Sequence, residues 1–328
     1  MSFHKNHWLL FSVIFFGYIA LSWIAAIGPA IWVQDHTRAL PGSAPLTPLE
    51  RRGLQIYIAE GCIACHTQQV RPLKMDAVWG RPSAPGDYAH LKPLDIWQPY
   101  APAVLGSERT GPDLTSIGTR QPSETWQYLH LYNPRAVSPD SVMPAFPWLF
   151  EVVAKAPADA VVVPVPPPYA PSAGTVVASD KARALVAYLL SLKQVPLRAS
   201  GASNAAAGTP VPPENATAGA EGATLYSNHC ASCHQANGQG LAGVFPSLAN
   251  NRVVVADDPA PHIATVLHGA QGRTIEGMTY PAAMPAFADQ LTDAQIAAIV
   301  DHERSSWGNQ APKVTAKDVA AVRKGEAK

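Results

Sequence analysis

Two pentapeptides of one type decide the fold of this chain: Cys62-Ile-Ala-Cys-His66 and Cys230-Ala-Ser-Cys-His234. Each is followed downstream by Met-Pro-Ala-Phe, at 143–146 and at 284–287. The chain has 4 cysteines, and the two pentapeptides contain all of them. A chance match to Cys-x-x-Cys-His in a chain of this composition has a probability of roughly 0.002. The pattern is therefore a repeated functional element.

The spacing within each pentapeptide is that of covalent haem c attachment. Two thiols can add across the haem vinyl groups, and the histidine that follows can reach the iron. A methionine thioether from a proline-stiffened loop would complete the coordination and raise the reduction potential. We therefore predict two covalently bound haem c groups. The attaching and ligating residues are Cys62, Cys65, His66 and Met143 in the first copy, and Cys230, Cys233, His234 and Met284 in the second.

Other interpretations fit these motifs less well. Zinc would require a fourth ligand at each site, and a thiol redox pair would open a helix after a strand. Met75 and Met278 are rival sixth ligands, but neither precedes Pro-Ala-Phe. Pro112 and Pro246 each lie between the histidine and the methionine of one copy. We predict that their carbonyl oxygens accept the N–H of the axial imidazoles.

A long apolar segment precedes the first motif. Residues 8–33 carry no charged side chain, and as a helix they would be about 39 Å long, enough to cross a bilayer. A cleaved signal peptide is the alternative, but its apolar core would be about 7 to 15 residues long. We predict a single-pass anchor in a bacterial inner membrane, with a cytoplasmic amino terminus. Because haem c is attached outside the cytoplasm, both haem domains should be periplasmic.

Composition and local patterning divide the rest of the chain. Lys and Arg number 24 and Asp and Glu number 24, so nothing indicates a nucleic-acid partner. A stretch rich in Ala, Gly, Ser, Thr and Pro cannot bury a core and predicts a flexible linker. The predicted divisions are an anchor at 1–40, a first haem domain at 41–198, a linker at 199–218, a second haem domain at 219–311 and a tail at 312–328.

Helix signals recur in both domains. Thr47-Pro-Leu-Glu50 and Thr292-Asp-Ala-Gln295 are capping boxes that open helices. Residues 185–192 carry apolar side chains at i, i+3, i+4 and i+7, the pattern of a helix with one buried face. The expected fold is mainly α: one N-terminal transmembrane helix followed by two tandem class I cytochrome c domains.

The first domain is longer than the second between its histidine and its methionine (66 to 143 against 234 to 284). The excess lies mainly in an insertion at 70–108 that is rich in proline and aromatic residues. Together with Phe146-Pro-Trp-Leu-Phe150, these aromatics indicate either a docking face for a membrane partner or a shield over the haem edge.

Further motifs surround the first haem site. The pentapeptide continues into Gln68 and Val70-Arg-Pro72, and the later elements are Gly106-Ser-x-Arg-Thr-Gly-Pro-Asp-Leu114, Trp126, His130-Leu-Tyr-Asn-Pro-Arg135 and Ser141-Val-Met-Pro-Ala-Phe-Pro-Trp148. With the amino-terminal helix, residues 1–194 resemble the mono-haem subunit CcoO (FixO) of cbb3-type cytochrome c oxidases. The resemblance implies a subunit that passes electrons to a haem–copper catalytic subunit, which reduces O₂.

Two features depart from that family. Residues 75–80 stand where the family has an acidic residue followed by Arg-Tyr-Gly, and this chain carries a second haem domain. The second domain, 219–311, resembles a class I cytochrome c domain as in oxidase and membrane dehydrogenase cytochrome subunits. Arg71, Arg109 and Arg135 are candidates to pair with haem propionates.

The residues indicate an electron carrier with no catalytic residue of its own, because none is placed as a general acid or nucleophile. A c-type cytochrome or another soluble or membrane donor would reduce the second haem, which would reduce the first and then the oxidase subunit. Alternatives are the cytochrome subunit of a nitric oxide reductase or of a membrane dehydrogenase, and a di-haem peroxidase. A peroxidase needs one haem iron with a vacant sixth coordination position. The two methionine loops instead predict that both irons are six-coordinate.

Overall fold

The computed structural model describes residues 5–91, 105–195 and 218–325. Most of the predicted linker, and the insertion residues Trp97 and Tyr100, lie outside these ranges. Within them the chain is mainly helical, with two short antiparallel pairs of strands. The predicted helical character is confirmed, and the strands are an addition that the sequence analysis did not foresee.

A single apolar helix opens the structure. α1 (His7–Ser22) continues through a π-helical turn (Trp23–Ile27) into α2 (Gly28–His36). The segment His7–Trp32 has 26 residues and a mean hydropathy of 2.2, and none of its most apolar stretch is buried against the protein. Such a helix is consistent with a membrane anchor or a signal sequence.

The first haem domain is organised around two crossing helices. Its helices and strands are α3 (Pro48–Ala59), α4 (Ile117–Arg120), α5 (Glu124–Tyr132), β1 (Phe150–Val153), β2 (Thr175–Ala178) and α6 (Asp180–Ser191), with 3₁₀ turns at Cys62–Ala64, Lys74–Trp79, Pro85–Leu91, Pro134–Ala136 and Pro147–Leu149. β1 and β2 are antiparallel, with Phe150 opposite Ala178. Where α3 crosses α6, a Cβ on Gly53 would lie 2.0 Å from the Ala184 carbonyl oxygen. Only glycine lets these backbones approach so closely.

The second haem domain repeats this crossing. Its elements are α7 (Ala218–His229), α8 (Ala231–His234), α9 (Ala260–His268), β3 (Arg273–Ile275), β4 (Met278–Tyr280), α10 (Asp293–Ser305) and α11 (Ala316–Arg323). Where α7 crosses α10, a Cβ on Gly222 would lie 2.2 Å from the Ala298 carbonyl oxygen. The same helix pair, with the same glycine contact, therefore supports both haem motifs.

Both predicted capping boxes are formed. Thr47 and Glu50 exchange side-chain to backbone hydrogen bonds at the start of α3, at 2.7 and 3.3 Å. Thr292 and Gln295 do the same at the start of α10, at 3.0 and 3.3 Å. Each box satisfies backbone N–H groups that the first helical turn leaves without partners.

The predicted tail at 312–328 packs against the second domain over its described part. Val319 of α11 is fully buried among the residues of the second core. Arg323 at the end of α11 places its Nε 2.7 Å from Asp293 Oδ1 at the start of α10. The second domain therefore extends past the predicted boundary at 311.

Each domain has its own apolar core. The first lies among α3, α5 and α6 and includes Leu54, Leu129, Leu149, Leu185 and Tyr188. The second lies among α7, α9 and α10 and includes Leu225, Ile263, Leu267, Ile296 and Val300. Val244 and Phe245 of the second domain are buried in the first core. The two domains therefore share an apolar contact.

Candidate haem sites

The first haem motif lies in a tight turn after α3. The helix ends at Ala59 and not at the motif itself, because Gly61 adopts a left-handed φ of 74°. Cys62 then begins a 3₁₀ turn in which it is partly buried, while Cys65 is exposed. Both thiols are free. They are therefore available for thioether bonds.

The imidazole of His66, the predicted iron ligand of the first site, is oriented by a proline carbonyl. His66 Nδ1 lies 2.8 Å from the Pro112 carbonyl oxygen. Nδ1–H therefore donates this bond, and Nε2 keeps the lone pair that an iron would bind. Burial lowers the pKa of His66, against the opposing effect of the bond to Pro112. The neutral imidazole is the form that ligates a metal.

Gly111 gives the chain room to pass over this imidazole. A Cβ at Gly111 would lie 2.3 Å from His66 Cε1. The Gly111 N–H also donates to the Cys65 carbonyl oxygen at 2.9 Å. Any larger side chain would push the imidazole aside, so the Gly-Pro pair shapes the proximal side of the first site.

The two methionines predicted as iron ligands are more buried than the two rival methionines. Met143 is partly buried and packs against the first core, and Met284 packs against the second. The rivals Met75 and Met278 are 68% and 45% exposed. This placement supports Met143 and Met284 as sixth ligands, and their bonds to iron remain predictions.

The second motif is more deeply buried than the first. Cys230 and His234 are both 7% exposed. His234 Nδ1 lies 2.9 Å from the Pro246 carbonyl oxygen, so this imidazole has the same predicted tautomer as the first. Burial raises the pKa of the Cys233 thiol to about 12. The thiol is therefore protonated at neutral pH.

An apolar cleft opens beside the second motif. It contains about 1060 Å³ of empty space, including open solvent at its mouth. Paired backbone hydrogen bonds of 2.7 and 3.1 Å join Met284 to Ala270 at its edge. Cys230, Cys233, His234 and Met284 all line the cleft. The thiols, the imidazole and the thioether that haem c needs thus face one cavity, and they fit that group.

Residues of the first domain form part of this second cleft. Arg120, Gln121 and Pro122 line it. The Arg120 guanidinium donates to the Asp113 carbonyl oxygen, and its buried Nε has no hydrogen-bond partner within the protein. Burial lowers the pKa of Arg120 to about 10. The sequence analysis missed this arginine, because no local motif shows which domain a side chain will face.

Two of the three arginines that the sequence predicts as partners of the haem propionates bind protein groups in the structure. Arg109 places Nη1 2.5 Å from Asp76 Oδ2 and donates from Nε to Thr67 Oγ1 at 3.0 Å. Arg71 binds the other Asp76 oxygen at 2.9 Å. The two guanidinium groups, with Arg71 the larger influence, hold the pKa of Asp76 well below its usual range. Arg135 lies half-buried in a 3₁₀ turn. Propionate binding by these arginines stays a prediction.

A buried ion-pair geometry also lies on the second cleft. His262 Nε2 is 2.7 Å from Glu303 Oε2, and both residues line the cavity. Both are almost fully buried, at 4% and 3% exposure. The sequence analysis did not single out this pair, whose members come from α9 and α10 and are distant along the chain.

Comparison with known families matches both halves of the chain. Residues 2–162 match the family described as cytochrome c oxidase, mono-heme subunit/FixO. Residues 219–307 match the family described as cytochrome c. Both resemblances inferred from the sequence motifs are confirmed.

Individual relatives cover parts of the chain. The cytochrome c subunit of a quinone-dependent alcohol dehydrogenase from Gluconacetobacter polyoxogenes is 36% identical over 145 residues, which are 44% of this chain and 31% of that protein. A gluconate 2-dehydrogenase cytochrome c subunit from Pantoea cypripedii is 40% identical over 107 residues, 32% of this chain and 24% of that protein. The chain thus spans less than a third of the length of these dehydrogenase subunits.

A smaller relative matches over most of its own length. Cytochrome c-552 of Thermus thermophilus is 40% identical over 94 residues, which are 27% of this chain and 70% of that protein. The chain therefore belongs to the c-type cytochromes, and it joins a FixO-type mono-haem domain to a cytochrome c domain. Haem c is therefore expected in each of the two domains.

Proposed function

We propose that this chain is a membrane-anchored di-haem subunit that relays electrons to the catalytic subunit of a cbb3-like haem–copper oxidase, which reduces O₂. The observation that carries the proposal is the FixO match over residues 2–162. That range includes both the apolar helix and every predicted attachment and ligand residue of the first haem. The helix would hold the first haem domain at the periplasmic face of the inner membrane.

The surface around the first haem site suits contact with a large partner. Cys65 is exposed, and near the predicted ligand Met143 the side chains of Val142 and Trp148 are 78% and 60% exposed. Trp148 is held in place by a 2.9 Å bond from its Nε1 to Glu60. Rigid, exposed aromatic and aliphatic groups beside a cofactor edge are typical of a protein interface.

A membrane dehydrogenase is the second candidate partner. It is favoured by the likeness to the alcohol and gluconate dehydrogenase cytochrome subunits. In that case the chain would accept electrons from a substrate-oxidising subunit. The FixO match is not explained by this alternative, and for that reason the oxidase comes first.

Purification of the tagged chain from bacterial membranes tests the choice. We expect a co-purifying integral membrane subunit that contains haem and copper, with O₂ consumption driven by a reduced c-type cytochrome. A partner with non-haem iron and no copper would indicate a nitric oxide reductase. A partner that oxidises an alcohol or a sugar acid would establish the dehydrogenase function and overturn the oxidase proposal.

A further inference from the structure

The second haem motif rests directly on the first domain. Trp126 of α5 donates from Nε1 to the Ser232 carbonyl oxygen at 2.8 Å. Gln121 donates from Nε2 to Ser232 Oγ at 2.6 Å, and its Oε1 lies 3.9 Å from Cys233 Sγ. Ser232 is one of the two residues between the attachment cysteines, and it precedes Cys233. The loop that would carry the second haem is therefore fixed to the first domain by side chains of that domain.

Trp126 is also packed in the core of the first domain. Its ring stacks on the His130 imidazole with centroids 4.4 Å apart and planes 12° apart. Trp126 is in the same core as Phe146, and the predicted ligand Met143 packs against that core. One aromatic stack thus connects the second attachment loop with the core of the first domain, against which Met143 packs.

The two sites also share a wall. Arg120 donates to the Asp113 carbonyl oxygen, one residue after the Pro112 carbonyl that holds His66. The same Arg120 side chain lines the second cleft. Val244 of the second domain is buried in the first core. The contact is thus both polar and apolar, as in a specific interface.

We propose that Trp126 is a positioning residue for electron transfer between the two haems: it holds the second attachment loop against the core of the first domain, against which the predicted ligand Met143 also packs. The inference rests on the proposed function only in requiring that both haems are bound. With both haems bound, one electron would pass from a ferrous haem to a ferric haem, and Trp126 would hold the second attachment loop on the first domain during the transfer. No covalent bond forms or breaks, and no proton moves. A one-electron donor such as a reduced c-type cytochrome supplies the electron.

The test uses the full chain with both haems attached and a light-activated flavin as the electron source. Electron transfer between the haems is followed by their absorbance after one electron is injected. Trp126→Phe keeps an aromatic ring but loses the hydrogen bond to Ser232. We therefore expect the equilibrium constant for docking of the second attachment loop on the first domain to fall about fivefold. Trp126→Ala also loses the packing, and we expect transfer to be slower by about tenfold or more. The matched control, Trp307→Phe, loses an indole hydrogen bond of 3.0 Å to the Ala236 carbonyl oxygen within the second domain and should leave the rate unchanged.

Haem content, absorption spectra and the two potentials should be the same in the Trp126→Phe protein as in the parent, which shows that folding and ligation persist. An unchanged transfer rate in both Trp126 variants would overturn the inference. So would a parental rate that falls in proportion to solvent viscosity, because that dependence indicates a swinging second domain. If both haems are bound and the transfer rate does not depend on Trp126, the positioning role of Trp126 is wrong and the proposed function is unaffected. If the chain co-purifies with a dehydrogenase, the oxidase assignment is wrong and the role of Trp126 is unaffected.

Discussion

The two haem domains share one scaffold but differ in how far they enclose their motifs. Each crosses two helices over a glycine, and each holds its histidine with a proline carbonyl. In the first domain Cys65 is exposed, whereas in the second Cys230 is buried. The cleft of the second domain is closed partly by the first domain itself. The proposed function thus assigns the external partner to the more exposed first site, while the second motif contacts the first domain.

Removal of the attachment cysteines should have the largest effect and should separate the roles of the two domains. Cys62→Ser with Cys65→Ser should halve the haem bound per chain, because thioether bonds can no longer form at that site. Cys230→Ser with Cys233→Ser should also halve it. The pyridine haemochrome assay of the purified chains measures both losses. We expect the second pair to destabilise the protein more, since its thiols are more buried than those of the first pair. Equal thermal stability of the two variants would contradict the expected larger loss in the second domain.

Loss of the sixth ligand should alter the potential of one haem at a time. Met143→Ala should lower the potential of the first haem by on the order of 0.1 V or more, within the span of about 0.8 V that axial ligands control. Redox titration and the near-infrared thioether-to-iron band report the change. Met75→Leu, at an exposed position, is the control. If Met75→Leu removed the band and Met143→Ala did not, the ligand assignment would be wrong.

The glycine contacts predict an equal loss of stability in the two domains when either glycine is replaced by alanine. Gly53→Ala and Gly222→Ala each place a Cβ within 2.2 Å of a facing carbonyl oxygen. We expect each to lower the free energy of unfolding of its own domain by about 3 kcal/mol, the upper end for overpacking. Thermal denaturation followed at the haem absorbance measures it. Gly17→Ala has no atom within 4 Å of its new Cβ and should be neutral. A neutral Gly53→Ala would show that α3 and α6 can separate without cost.

The buried carboxylate of the first domain predicts a difference in acid stability. Asp76 has a lowered pKa, chiefly through Arg71. Its stabilising effect is therefore complete above the unfolded pKa, about 3.9, and is lost as the pH falls through the lower folded pKa. Asp76→Asn should cost about 2 kcal/mol at neutral pH by removing charge-assisted hydrogen bonds. It should also make the first domain less sensitive to acid.

A surface ion pair in the second domain provides the control for Asp76. Asp293 binds Arg323 at 2.7 Å, and both side chains are about a third exposed. Asp293→Asn should cost under about 1 kcal/mol because water screens the pair. Urea denaturation at pH 7 and pH 3 compares the two variants. A larger loss for Asp293→Asn would contradict the burial argument.

Much of each haem site was predictable because its chemistry depends on short spacing. Cys62, Cys65 and His66 lie within five consecutive residues of the chain. The proline and the methionine follow in the same order in both copies. The capping boxes of α3 and α10 were also predictable, since they depend on residues three apart. Other features depend on packing between distant segments. The strand pairs, the docking of α11 and the buried His262–Glu303 pair are of this kind.

The sequence by itself determined that this protein is a c-type cytochrome with two haem motifs and one apolar amino-terminal helix. It did so because covalent attachment and axial ligation impose fixed residue types at fixed separations. Only the tertiary structure decided that Arg120, Gln121 and Trp126 of the first domain meet the second motif. Those contacts join segments about a hundred residues apart, and they follow from burial and hydrogen bonding across the folded surface, which leave no periodic pattern in the chain.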